Sequence, residues 1–148
     1  MTHHHLLPEQ RVTLITLGVR DLTRSRAFYR ALGWSPAEEQ ERVSFYQMHG
    51  AALALFGLDD LADDMDRPVG ELRTGAVTLA QNFATEEDVD AAWQRATQAG
   101  AKPIKVPQAT AWGGYSGYYA DPDGHVWELA MNPFWPLGPD GSLTLPAG

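Results

Sequence analysis

The chain has 148 residues, 44% of them hydrophobic and 20% charged, with a formal net charge of −8. That composition is that of a folded domain, and the acidic balance argues against a nucleic-acid backbone or an anionic membrane as partner. The absence of cysteine excludes disulfide scaffolds, thiol nucleophiles and thiolate metal sites. No apolar run approaches the roughly 18 residues of a membrane span, and residues 1–10 have no apolar stretch like that of a signal peptide, so the expected location is cytoplasmic.

Residues 1–10 are expected to be a flexible arm, with His3, His4 and His5 a tag remnant rather than a chelating site. The first strand is expected at residues 12–19, where Ile15, Leu17 and Val19 alternate with small or polar residues. Asp21 is a candidate N-cap for a helix over residues 22–32, with Ala27, Phe28, Ala31 and Leu32 as its apolar face and Gly33 as its terminator. Two strands follow, at residues 43–49 and 51–56, joined tightly around His49 and Gly50. Residues 58–74, rich in aspartate and carrying Pro68 and Gly70, read as an acidic surface linker without the spacing of a calcium loop.

The order then repeats. A strand is expected at residues 76–83, with Val77, Leu79 and Phe83 in phase. Thr85 caps a helix whose apolar face is Val89, Ala92, Trp93 and Ala96 and whose terminator is Gly100. Three more strands are expected at residues 102–106, 116–120 and 126–131, the last two joined by the turn Asp121-Pro122-Asp123-Gly124. Residues 107–115 read as an inserted loop. The result is an α+β chain of two tandem βαβββ modules, at 11–57 and 75–132, followed by an extended proline-rich arm at 133–148.

Particular residues carry a family resemblance. Val19-Arg20-Asp21-Leu22, then Ser25 to Tyr29 and Leu32-Gly33-Trp34, resemble the opening module of the vicinal oxygen chelate superfamily, which includes glyoxalase I, bleomycin-binding resistance proteins and extradiol dioxygenases. Asp121 to Gly124 followed by Trp127-Glu128-Leu129 resembles the close of its second module. The resemblance implies a cupped, mostly antiparallel sheet built from the paired modules. In metal-dependent members four cup-facing side chains hold a divalent ion. The matching positions here are Leu14, Ala54, either Ala76 or Thr78, and Glu128, so only Glu128 keeps a ligand type. Alkyl groups donate no lone pair, and no metal cofactor is therefore expected; a divalent metal is the runner-up.

Period-2 alternation places Glu128 on the cup face with Val126 and Ala130, and Trp127 and Leu129 opposite. It is the candidate acid/base group or ligand anchor, and an ionised carboxylate there needs a partner. Trp112, Tyr115 and Tyr118, from a glycine-rich aromatic run, together with Thr16 and Thr78, are the candidate ligand contacts. His125 is expected to face solvent. The expected function is binding of a small molecule, cationic or aromatic, without the usual metal. The alternatives are a metal-dependent lyase, isomerase or dioxygenase, or an enzyme using Glu128 as general base. No nucleic-acid or membrane partner is expected, and the resemblance implies a homodimer.

Overall fold

In a computed structural model, which describes residues 10–146, the chain runs β1 (Leu14–Val19), α1 (Leu22–Ala31), β2 (Glu38–Glu39), β3 (Val43–Gln47) and β4 (Ala52–Gly57). A second helix, α2 (Leu58–Asp64), and a single 3-10 turn (Val69–Glu71) lead to β5 (Thr78–Asn82), α3 (Glu86–Gln98), β6 (Lys102–Ala109), β7 (Tyr115–Ala120) and β8 (Val126–Met131). Two four-stranded sheets result, ordered β1-β4-β3-β2 and β5-β8-β7-β6. In each, the first strand pairs in parallel with the last and the remaining pairs are antiparallel. This is the expected α+β fold of two βαβββ modules.

Local chemistry sets the helix ends where the sequence marks them. The Asp21 carboxylate accepts the Arg24 N–H at 3.1 Å, and the Thr85 hydroxyl accepts that of Asp88 at 3.1 Å. Gly33 and Gly100 follow with φ of +100° and +103°, a backbone region open to glycine without Cβ strain. The buried face of α1 differs from expectation. Ser25, Phe28 and Tyr29 point inward, while Ala27 and Ala31 are exposed.

Helices α1 and α3 each lie on one side of their sheet and share a core. Leu17, Val19, Leu53, Leu55, Phe28 and Tyr29 from the first module meet Val89, Tyr119, Trp127 and Leu129 from the second. Trp34 stacks on Tyr29 at 5.3 Å and stands edge-on to Trp127 at 5.5 Å. The opposite faces of the sheets form the concave side.

Three expectations are corrected. The acidic linker contains α2, whose Leu58 and Leu61 lie against β1 so closely that a Cβ on Gly18 would sit 2.7 Å from Leu58 Cδ1. Residues 107–115 are no inserted loop. Strand β6 continues to Ala109, and a short turn closes where Thr110 N–H donates to the Gly114 carbonyl at 3.0 Å. The arm after Met131 folds back on itself, Leu137 pairing with Leu143. The expected N-terminal arm, with His3 to His5, lies outside the described residues except for Gln10.

Candidate functional site

Strand β8 alternates as its sequence requires. Trp127 and Leu129 enter the core at 4% and 1% exposure, which turns the half-buried Glu128 to the concave face. Its register partners are Tyr118 on β7 and Ala80 on β5. The Tyr118 hydroxyl donates to Glu128 Oε2 at 3.1 Å. Burial, and then the adjacent carboxylate, push the Tyr118 phenol above its ordinary pKa, so Tyr118 acts as a donor and Glu128 as its acceptor. The partner that a carboxylate on this face requires is therefore a cross-strand tyrosine.

The other candidates distribute unevenly around this pair. Thr16 is half-buried on the concave face of β1, beside Ala54. Thr78 is exposed at the start of β5, opposite Val126. Trp112 lies with its ring over Gly114, where a Cβ would come within 2.1 Å of Cζ3 and Cη2. Gly114 shares the sheet face of Tyr118 but stands four residues away, roughly 13 Å along the strand. Tyr115 turns the other way, its hydroxyl donating to Asp90 Oδ1 on α3 at 2.8 Å. The structure thus brings Glu128 and Tyr118 together and keeps Tyr115 apart from them.

Register also settles which residue of the second module matches Leu14. Thr16 pairs with Ala54 and Ala80 with Glu128, so Leu14 and Thr78 occupy equivalent places, each two residues earlier. Ala76 precedes the strand, at a φ of +41°. The four positions are therefore Leu14, Ala54, Thr78 and Glu128. They offer one carboxylate, already holding a phenol, and one hydroxyl. Ala54 is only 1% exposed. This donor set does not fit a divalent cation, which takes six or more oxygens or several imidazole and carboxylate ligands. Among the described residues, no three or more histidine, aspartate or glutamate side chains gather as a cation cage.

Between α2 and the module junction runs a groove of about 580 Å³, lined by Thr16, Gly18, Leu61, Met65, Arg73 and His125 among others. His125 is not the solvent-facing residue expected. It is half-buried, and its Nε2 lies 2.9 Å from the Gly18 carbonyl, joining the second module to the free edge of β1. The neighbouring Asp123 carboxylate accepts the Arg20 N–H at 2.9 Å and the Ser25 hydroxyl at 3.1 Å, and pairs with the Arg24 guanidinium at 3.3 Å. Sequence reasoning missed these cross-module links because each joins residues about a hundred positions apart.

Residues 11–129 match the family model of the Glyoxalase/Bleomycin resistance protein/Dioxygenase superfamily. The chain belongs to that superfamily. A glyoxalase-related enzyme from Fulvimarina pelagi is similar to this superfamily member at 41% identity and a TM-score of 0.88, over 94% of this chain and 100% of that one. A glyoxalase/bleomycin resistance protein/dioxygenase from Nocardioides shares the fold at 21% identity and a TM-score of 0.72, over 85% of each chain. The genomically encoded fosfomycin resistance protein FosX from Listeria monocytogenes shares it at 22% identity and a TM-score of 0.65, over 84% of this chain and 95% of that one. No curated protein matches this superfamily member.

Proposed function

We propose that the protein binds a small molecule on the concave side of its paired sheets without a protein-held metal. The observation that carries this reading is the chemistry at the four equivalent positions. Leu14, Ala54 and Thr78 stand where chelating groups would be needed, and Glu128 is held by Tyr118 at 3.1 Å. Glu128 with its tyrosine forms an anionic, hydrogen-bonding anchor for a cationic or hydroxylated group, and the Trp112 face is available to an aromatic one. The groove of about 580 Å³ that Thr16 also lines is of ordinary size for a small ligand.

Two measurements test the proposal. Elemental analysis of protein freed of His3 to His5 should give well below one equivalent of zinc, nickel, iron or manganese; near-stoichiometric metal overturns it. Calorimetric titration with a panel of cationic aromatic compounds should give saturable heat for at least one member, and a silent panel counts against it.

A second reading is enzymatic, with Glu128 as general base, and it draws on the 41% identity to a protein described as a glyoxalase-related enzyme. Glu128→Gln would then abolish turnover, whereas unchanged turnover on a true substrate removes the base. We also propose a cytoplasmic homodimer, supported by exposed Val77, Ile104 and Val106 at 69%, 51% and 65%. Light scattering at the mass of one chain would overturn the dimer.

A further inference from the structure

A second site lies at the C-terminal end of β5, around Trp34. Strand β5 ends its sheet, so its outer edge carries no ladder partner. Two cavities, of about 320 and 600 Å³, open beside that edge, one toward α3 and one toward the end of β3, and share Trp34, Gln81 and Phe83 as a common wall. Neither is lined by Glu128, Tyr118 or Thr78.

The lining combines flat apolar surface with unused hydrogen-bonding groups. One face of Trp34 is covered by Tyr29, while the rest of the indole lines both cavities beside Phe83, with Met48 in the larger one. Among the described residues, the Trp34 indole N–H and the carboxamides of Gln81 and Asn82 have no hydrogen-bond partner, although all three residues are half-buried. The backbone adds to them. Phe83 N–H donates inward to the Ala130 carbonyl at 2.8 Å, so by alternation the main-chain groups of Ala80 and Asn82 face the free edge. Half-buried polar groups without partners are costly unless water or a ligand satisfies them.

The charges at the rim balance. Arg95 and Asp88 both line the smaller cavity on the α3 side, and His49 lines the larger one near Gly141. Such a lining selects against a strongly charged guest. It suits a flat ring for the aromatic wall, with an edge that both donates and accepts for the carboxamides and accepts from the indole N–H. We propose that this cleft binds an uncharged planar nitrogen heterocycle of nucleobase or nucleoside size. The larger cavity borders the concave face at Ala80, the register partner of Glu128, but the proposal uses neither Glu128 nor Tyr118 and stands whether or not that anchor holds.

Saturation-transfer NMR and titration calorimetry with adenosine, uridine and riboflavin test it on the full chain. At least one probe should bind saturably and quench tryptophan emission. Gln81→Met and Asn82→Leu keep side-chain bulk while removing the amides, and each should weaken binding by about fivefold or more, as loss of one net hydrogen bond implies. Where either variant melts early, Trp34→Phe, which keeps a ring and loses the N–H, supplies the same reading. The proposal is overturned if none of the three probes saturates or if the amide variants bind as the parent does. It is also overturned if Glu128→Gln, on the concave face, abolishes binding while Gln81→Met leaves it intact.

Discussion

The hydroxyl of Tyr29, on the first helix, donates to Asp121 Oδ2, in the turn before the last strand, at 2.7 Å. The Tyr29 hydroxyl oxygen in turn accepts the Trp127 indole N–H at 3.0 Å. Asp121 is 3% exposed and Tyr29 fully buried, so one phenol satisfies a buried carboxylate and a buried indole across the module junction. Tyr29→Phe keeps the ring contacts to Phe28 and Trp34 and removes both hydrogen bonds. Because buried partners are left unsatisfied, the variant should lose about 2–3 kcal/mol of stability. Urea unfolding with an unchanged slope checks this, and a loss below about 0.5 kcal/mol would show that water replaces the phenol.

Why the sequence revealed the modules but not their joining is clear from particular residues. Alternation in Val126 to Ala130, the caps Asp21 and Thr85, and the terminators Gly33 and Gly100 are local signals, and each element they mark is present. Helix α2 was masked by its aspartates. Leu58, Leu61 and Met65 are spaced for one helix face, but the helix has only seven residues and its apolar side is explained by Gly18, forty residues earlier. The direction of Glu128 follows from period 2 within one strand. Its partner Tyr118 depends on the register between strands, which alternation within a single strand does not specify. His125 and Asp123 find their partners in the first module, beyond the reach of any local pattern.

All five tyrosines are pushed above the usual phenol range. Burial leads for Tyr29, Tyr46, Tyr118 and Tyr119, whereas for Tyr115 the hydrogen bond to Asp90 leads. In the unfolded chain each phenol ionises near pH 10. The unfolded state therefore releases these protons before the folded state does, and stability falls as pH rises above about 10. Below that pH the tyrosines contribute no dependence. Phenolate absorbance of the native protein should rise at higher pH than that of the protein unfolded in urea, with the buried Tyr29 and Tyr119 ionising only as far-ultraviolet ellipticity is lost. A separate native step near pH 10 would show that at least one phenol is free of its neighbours.

Tyr118 offers a more local check. Of the causes that raise its pKa, burial comes first, and the Glu128 charge and hydrogen bond supply the rest. Glu128→Gln keeps the shape and removes the charge, so the Tyr118 phenol should titrate at lower pH than in the parent while remaining above its ordinary value. Carbon-13 NMR of the ring, assigned through Tyr118→Phe, follows this directly. An unmoved titration would mean that the two side chains do not meet in solution, and the anchor proposed for the concave face would lose its geometry.

Trp112 depends on the glycine beneath it. A Cβ on Gly114 would lie 2.0 Å from Trp112 Cζ3 and 2.7 Å from the Met131 carbonyl oxygen, so Gly114→Ala must displace the indole and strain the turn. Overpacking of this kind costs about 1–3 kcal/mol. Part of the cost is removable. In a Trp112→Ala background the ring is gone and only the clash with Met131 persists, so the same alanine should be less damaging. The two substitutions should therefore couple by at least about 1 kcal/mol in a double-mutant cycle. Urea unfolding of the four proteins measures that coupling. Strict additivity would place the Trp112 ring away from Gly114, and with it the aromatic face offered to a ligand on the concave side.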